Sequence, residues 1–373
     1  MIAGDPHQGG ATWAVLQYVL GLRCLGHDVY LVEPVAASSL RPGGATFLTS
    51  INAAYFRAVA ARFDLTDRAT MLLQDTHETV GVTYPDLLDR IRDSDLLINI
   101  SGMLTDPGLF EAVRRRVYLD LDPAFNQLWH AVENIDMRFD GHTHFVTVGT
   151  LIGSSTCDVP TCGRQWIPTL QPVVLSEWPT APGAPNGAWT TVGNWRGYGS
   201  IEYHGRLFGQ KAHSLRRFIA LPQRTTEPFL LALSIHRDET ADLAALAANG
   251  WTLGDPCDMA GTPDAYRAFI QGSKGEFGIA KSGYVAASCG WFSDRSVCYL
   301  ASGRPVLAQD TGLAGVLPTG AGLFVFSSEE DVLAALDTIN SNYARCARSA
   351  RELAESCFDS RRVLARLLDR VAA

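Results

Sequence analysis

The chain has 373 residues and a net charge of −8, with 47% hydrophobic and 19% charged residues. That length exceeds the ~100–200 residues of a typical domain, so two domains are expected. The acidic balance lacks the broad basic face that nucleic acid or a membrane surface would require, and eight cysteines are too sparse for a disulfide framework.

The first residues, MIAGDPHQGG, lack the basic start and apolar run of a secretion signal. No apolar stretch approaches the ~20 residues of a membrane span, and a cytoplasmic protein is the expectation. Only Met1 to Ala3 precede GDPHQGG, too little for the ~5-residue strand that should open a sheet. The expectation is that the natural chain extends upstream or that this strand is clipped.

ATWAVLQYVLGLRCLGH places Val15, Leu16, Val19, Leu20 and Leu22 at helical spacing. DVYLVEP reads as a strand, TFLTSINAAYFRAVAARFDL as a second helix and YPDLLDRIRDS as a third. The strand DLLINIS, the helix DPGLFEAVRRR and the strands VYLDLDP and HFVTVGT follow. Arg114, Arg115 and Arg116 fall at a helix C-terminus, where cations are favoured. Cys157 and Cys162 form the one close cysteine pair, and no second pair completes a zinc site.

PTLQPVVLSEWPTAPGAPNG breaks the pattern with Pro, Gly and small residues and reads as an interdomain connection. The alternation then restarts. AWTTVG, PFLLALSI, EFGIAKS, RPVLAQ and GLFVFS read as strands, and GQKAHSLRRFIAL, ETADLAALAANG, DAYRAFIQGS, SDRSVCYLAS and SEEDVLAALDTI as helices. Ser327 with Glu330 has the spacing of a capping box for the last of these. The fold class expected is α/β, two Rossmann-like domains whose parallel sheets face an interdomain cleft. The boundaries are residues 1–170, a linker 171–188, residues 189–355, and a C-terminal helix within 356–373 that packs back on the first domain. Sheets of this kind bind ligands beyond the carboxyl ends of their strands.

Several polar residues fall at that edge. Ser293 caps a helix that begins with Asp294 and Arg295, which offers free N–H groups, a helix dipole and a forked cation to an anion. Trp195 and Arg196 follow the first strand of the second half, Lys211 opens its first helix, and Lys281, Ser282 and Gly283 end a later strand. Only three of the 31 basic residues are lysine, and all three lie in the C-terminal half. Cations converging on a helix N-terminus suit a diphosphate, and Trp195 and Trp291 offer flat surfaces to a base or sugar ring. In the first half, His7 lies in the loop after the short opening segment, near Asp5 in sequence, and is a candidate base. Asp122 ends a strand beside Asp120 and is a second candidate. Trp13, Phe125, Trp129, His142 and His144 are candidates for the acceptor side. The two histidines without a third ligand do not make a metal site.

Two α/β halves, the Gly9–Gly10 pair before the first helix, the Arg and Lys after the first strand of the second half, and YLASGRPVLAQDTG together resemble GT-B glycosyltransferases. The chain is most similar to a divergent member of the bacterial, glycogen-synthase-like sugar transferases, over essentially its whole length. The resemblance implies a metal-independent transferase moving a sugar from a nucleoside-diphosphate sugar to a hydroxyl of a small-molecule or glycan acceptor. It implies no cofactor beyond that co-substrate, and the acidic balance leaves no nucleic-acid partner expected. Donor roles then fall on Ser293–Arg295, Arg196, Lys211, Gly9 and Gly10, with the acceptor in the N-terminal domain. Many relatives carry a Glu that binds the donor ribose where Cys298 stands here, and Asp294, one turn earlier, is the candidate substitute. Eight residues after Glu276 stands Tyr284, not a second Glu, so the paired-Glu pattern of retaining enzymes is absent and the stereochemistry stays open. A nucleotide-sugar epimerase of the same architecture and a non-enzymatic two-lobed nucleotide or sugar binder remain alternatives. GDPHQGG lacks the G-x-G-x-x-G spacing of a dinucleotide site.

Overall fold

In the computed structural model, which describes residues 1–372, the C-terminal half is built on six parallel strands. Their spatial order is Thr252–Gly254, Phe229–Ser234, Trp189–Asn194, Gly275–Gly278, Val306–Gln309 and Leu323–Phe326. Numbered along the chain, that is the doubly-wound order 3-2-1-4-5-6. Phe229–Ser234, Val306–Gln309 and Leu323–Phe326 are short, mostly buried apolar runs, as parallel sheets covered by helices require, whereas the edge strand Thr252–Gly254 is largely exposed. Trp189, Phe277, Leu307 and Phe326 pack in one core with Leu215, Phe218 and Leu336 from the covering helices.

The N-terminal half has two sheets where one was expected. Leu31–Val35 pairs in parallel with Ala69–Leu73, and Thr79–Gly81 adds an antiparallel edge. Leu97–Ile100, Arg116–Asp120, His144–Thr147 and Trp166–Pro168 form a separate four-stranded parallel sheet. The strands Ala69–Leu73, Thr79–Gly81 and Trp166–Pro168 and the helix Phe125–Ala131 are absent from the sequence reading. The second helix is shorter than expected, Ile51–Arg62, because Ser50 caps it by accepting from Ala53 N.

The linker meets the returning chain at the domain seam, where Val173 N donates to Phe358 O and Ser360 N to Val173 O. The last helix, Ser360–Ala372, then packs against the first, Gly9–Cys24, and places Leu364, Leu367 and Val371 on Val117, Leu119 and Val146. The expected capping box lies one residue further on. Ser328 Oγ accepts from Asp331 N, and the Asp331 carboxylate accepts from Ser328 N, so Ser327 and Glu330 are not the pair. The shorter Asp carboxylate reaches back within a single turn, and Glu330 is instead bound by Arg224.

Candidate active site

The order 3-2-1-4-5-6 opens a crevice at the carboxyl ends of Trp189–Asn194 and Gly275–Gly278, where the crossovers diverge to opposite sides. Gly193 lies there with φ +151°, and a Cβ on it would stand 3.3 Å from Lys211 Nζ and 3.9 Å from Arg295 Nη1. Two cations therefore converge on one bare stretch of backbone. Arg295 is the second residue of the helix Asp294–Ala301, whose cap Ser293 accepts from Arg295 N. Its side chain turns inward, donating from Nε to Glu276 Oε1 at 2.5 Å and from Nη1 to Val192 O at 3.1 Å. Burial opposes the charge on Arg295, but the charge and hydrogen bond of Glu276 together with Tyr266 and Tyr299 more than offset it and hold the guanidinium above its ordinary range.

Lys211 has no such counter-ion. It is buried, and its Nζ makes no hydrogen bond or ion pair among the described residues. Burial, and then the neighbouring Arg295, push its ammonium well below the usual lysine range. The Glu276 and Asp294 carboxylates act against that shift and Lys281 adds to it, but neither carboxylate is ion-paired with Lys211. Glu276 Oε2, Ser214 Oγ and Ser282 Oγ, on elements bordering the crevice, are buried without hydrogen-bond partners. The arrangement can hold a polyanion whose oxygens accept from Lys211 and the two serine hydroxyls; Glu276 Oε2, itself an acceptor, is not a partner for it.

A second cluster spans the two domains. Asp122, just past the strand Arg116–Asp120, accepts two 3.0 Å hydrogen bonds from Lys281 Nζ and one each from the hydroxyls of Tyr198 and Tyr284. Lys281 Nζ also lies 4.2 Å from the Tyr198 ring centroid and 5.1 Å from those of Phe125 and Tyr284, an aromatic box for a cation. Trp291 stacks on Tyr284 at 4.3 Å, and Trp129 packs edge-on against Tyr198 at 4.5 Å. Burial, then the charge of Asp122, raises both tyrosines well above their ordinary range, so they stay protonated donors. Asp120 holds the strand end beneath them. Its buried carboxylate accepts from Asn126, Gln127, Thr147 and the Asp122 backbone, and burial lifts it to about 6.

Other expected residues lie elsewhere. Trp195 faces the core and donates to Asp242 at 2.8 Å, so it offers no surface to a ring in the cleft. Arg196 pairs with Glu239, so its guanidinium is engaged by a carboxylate. Trp13 is buried at the domain seam, donating to Pro263 O at 2.9 Å, and is no acceptor platform. His142 is wedged against Tyr118 and Phe110 with Asn99 on its Nε2, and His144 starts the strand His144–Thr147 at the edge opposite the cleft. Parallel strands put their carboxyl ends at the cleft, so residues that precede a strand fall on the far side. Asp5 pairs with Arg41 and Gln8, not with His7. His7 is exposed in the loop before the first helix, its ring 4.9 Å from that of Tyr55 and its carbonyl beside Gly261 of the other domain.

Gly9 and Gly10 meet protein rather than open cleft. A Cβ on Gly9 would lie 2.4 Å from Thr262 O, and one on Gly10 would lie 2.8 Å from the Tyr266 ring. Gly283 likewise admits the Phe125 ring, at 2.5 Å from its would-be Cβ. Cys298 is buried against Gln17 of the first helix, and Asp294 is half-buried one turn before it. Tyr198, Tyr284 and Glu276 are the site residues that sequence reasoning missed. The only signal was that Glu276 and Tyr284 occupy the two positions of the paired-Glu spacing.

No protein-family model matches the sequence, and no curated protein matches it. Solved structures do. An alpha-glucosyltransferase in complex with UDP and a 13-mer DNA containing a HMU base aligns at a TM-score of 0.60 and 11% identity, over 100% of this chain and 98% of that one. HepE of Anabaena in complex with UDP-glucose aligns at 0.57 and 12% identity, over 99% and 97%. A glycosyltransferase from Rickettsia africae aligns at 0.50 and 11%, over 97% and 94%. At these identities the likeness establishes the fold, the two Rossmann-like domains of GT-B proteins, along the whole chain.

Proposed function

We propose that this chain is a metal-independent glycosyltransferase that moves a sugar from a nucleoside-diphosphate sugar to a hydroxyl of a small-molecule or glycan acceptor. The observation that carries the reading is Lys211, a buried cation without a counter-ion beside Arg295 at the sheet's switch point. It lies in a fold shared end to end with transferases solved with UDP or UDP-glucose. Lys211 and Arg295 hold the donor diphosphate, and Asp294 holds the ribose.

In the reaction the bond from the anomeric carbon to the diphosphate oxygen breaks, and its electron pair leaves with the nucleoside diphosphate. Negative charge grows on that group as it departs, so preorganised cations in a water-poor crevice stabilise the transition state more than the ground state. The acceptor oxygen bonds to the anomeric carbon and gives its proton to His7, which is not committed to a carboxylate. Asp122 is fully engaged by Lys281 and two tyrosines, and its role is to hold the domains closed around the donor. Trp129, Trp291 and Lys281 border the acceptor side. The epimerase alternative needs His and carboxylates around the sugar, and His142 and His144 lie away from the cleft.

The reading is tested by incubating the chain with UDP-, GDP- and dTDP-sugars and a panel of hydroxyl acceptors in EDTA. Release of nucleoside diphosphate that an acceptor accelerates, and that His7→Ala slows, is expected. Folded protein that releases none from any donor contradicts it.

A further inference from the structure

The carboxyl ends of the N-terminal strands turn toward the other domain, as the contact of Asp122 with Lys281 shows. A cavity of about 380 Å³ lies at that edge, past the ends of Leu31–Val35, Ala69–Leu73 and Leu97–Ile100. Two buried side chains fix one side of it. Glu33 accepts from the N–H groups of Ile2, Ala3 and Gly4 at 2.8 Å, and Asn52 donates to Ala3 O at 2.6 Å and to Ser39 O at 3.2 Å. Gly102 fixes the other side. Its φ is +66°, and a Cβ on it would lie 3.0 Å from Arg138 Cβ and 3.1 Å from the Tyr118 ring, so the loop carrying Met137 rests directly on the strand end. The cavity is therefore formed before any ligand arrives.

Its chemistry is apolar and close to neutral. Pro34, Val35, Met103 and Met137 supply aliphatic and thioether walls, and Asp136 and Arg138 bring one charge of each sign. Ser39, Gln74 and Ser101 line it with side chains that make no hydrogen bond among the described residues. Ser101 does so from a left-handed backbone, φ +51°, a strained conformation of the kind that clusters at ligand sites. Among the described residues no aromatic side chain lines the cavity, and those of Phe125, Tyr198 and Tyr284 gather around Lys281 instead. A sugar presents ring faces that aromatic side chains cover and a rim of hydroxyls that many polar groups must satisfy. These walls suit an apolar body with one or two polar substituents, and the flexible, polarisable methionines adapt to its shape.

We infer that this cavity binds an apolar alcohol or phenol, that such a compound rather than a glycan is the acceptor, and that Met103 and Met137 select it. The acceptor role rests on the transferase reading above. Gly4 lines the cavity and His7 follows three residues on, a chain reach of at most about 11 Å. A hydroxyl at the mouth can thus bond to the anomeric carbon and give its proton to His7 while the apolar body stays inside, the nucleoside diphosphate leaving with the bonding pair.

The test reads acceptor binding apart from transfer. Saturation-transfer NMR on the donor-free chain uses 2-naphthol, 4-butylphenol and octan-1-ol as apolar probes and maltose as the glycan probe. Binding of at least one apolar probe, and none of maltose, is expected. Met137→Glu and Met103→Glu should each weaken that binding by about tenfold or more, because each sets a charge against an apolar ligand. Met137→Leu should keep it within about threefold, as volume-conserving apolar exchanges do. Thermal midpoints show which variants are folded, and the two positions make the result independent of either one. Maltose binding as tightly as the apolar probes, no binding of any apolar probe, or apolar affinity equal in the parent and a folded Glu variant would overturn the inference. Apolar binding without release of nucleoside diphosphate from any donor would instead contradict the transferase reading and leave the binding site in place.

Discussion

Lys281 Nζ donates two 3.0 Å hydrogen bonds to the carboxylate of Asp122, joining the C-terminal domain to the end of an N-terminal strand. Both side chains are about three-quarters buried, and the Tyr198 and Tyr284 hydroxyls complete the carboxylate's coordination. Asp122→Asn and Lys281→Met should therefore be coupled. A double-mutant cycle on unfolding is expected to give an interaction energy of about 1–3 kcal/mol, and each single variant should bring a larger drop in turnover than in stability. Additive effects within about 0.5 kcal/mol would show that the pair does not act as a clasp.

Glu276 is wholly buried with Arg295 on one oxygen and no partner on the other. Glu276→Gln leaves the guanidinium without its counter-ion in a dry site, so unfolding free energy by urea titration should fall by about 3–5 kcal/mol. Glu276→Asp keeps the charge and should recover part of the loss.

Gly9 allows the first helix to touch the carbonyls of Ala260 and Thr262. Gly9→Ala forces the domain seam apart at backbone atoms, which cannot yield as a flexible side chain can. Overpacking of this kind costs about 1–3 kcal/mol. The variant should show a lower thermal midpoint and a larger radius of gyration by X-ray scattering.

The pH dependence follows from Lys211. Burial and then Arg295 lower its pKa in the folded chain, whereas the unfolded chain keeps the usual lysine value. As pH rises through the lowered value, the folded protein loses this proton first, so donor affinity should fall. Folding stability moves the other way. It is highest above the unfolded lysine range and is lost as pH falls through the folded value, because the ammonium must then be buried charged. Calorimetry in buffers of different ionisation enthalpy should show proton uptake on donor binding at pH values above the lowered pKa.

Much of this architecture was legible in the sequence because buried parallel strands are continuous apolar runs, and because Ser293 caps its helix plainly. Short edge strands such as Thr79–Gly81 carry too few residues for a period. Lys211 and the Ser293 cap fall at the switch point as their positions between strand and helix suggested. Trp195 and Trp13 did not, since nothing in a sequence distinguishes a tryptophan facing a cleft from one that fills a core. The pairing of Asp122 with Lys281 joins residues 159 apart, and no local pattern encodes it. The capping register slipped by one residue because Ser327 and Ser328 are adjacent and both have an acid three residues on.

The central claim is that Lys211 waits, buried and unpaired, for the diphosphate of a sugar donor. Isothermal titration of UDP, GDP, dTDP and their sugars in EDTA, on the unaltered chain and on Lys211→Met, tests it most directly. The account predicts saturable binding of one nucleotide series, weakened by about ten- to a hundredfold in the variant, the worth of a charged hydrogen bond. The same variant should have a higher thermal midpoint, because a buried cation without a counter-ion has been removed. Nucleotide affinity equal in the two proteins, or a variant that is less stable than the parent, would contradict it.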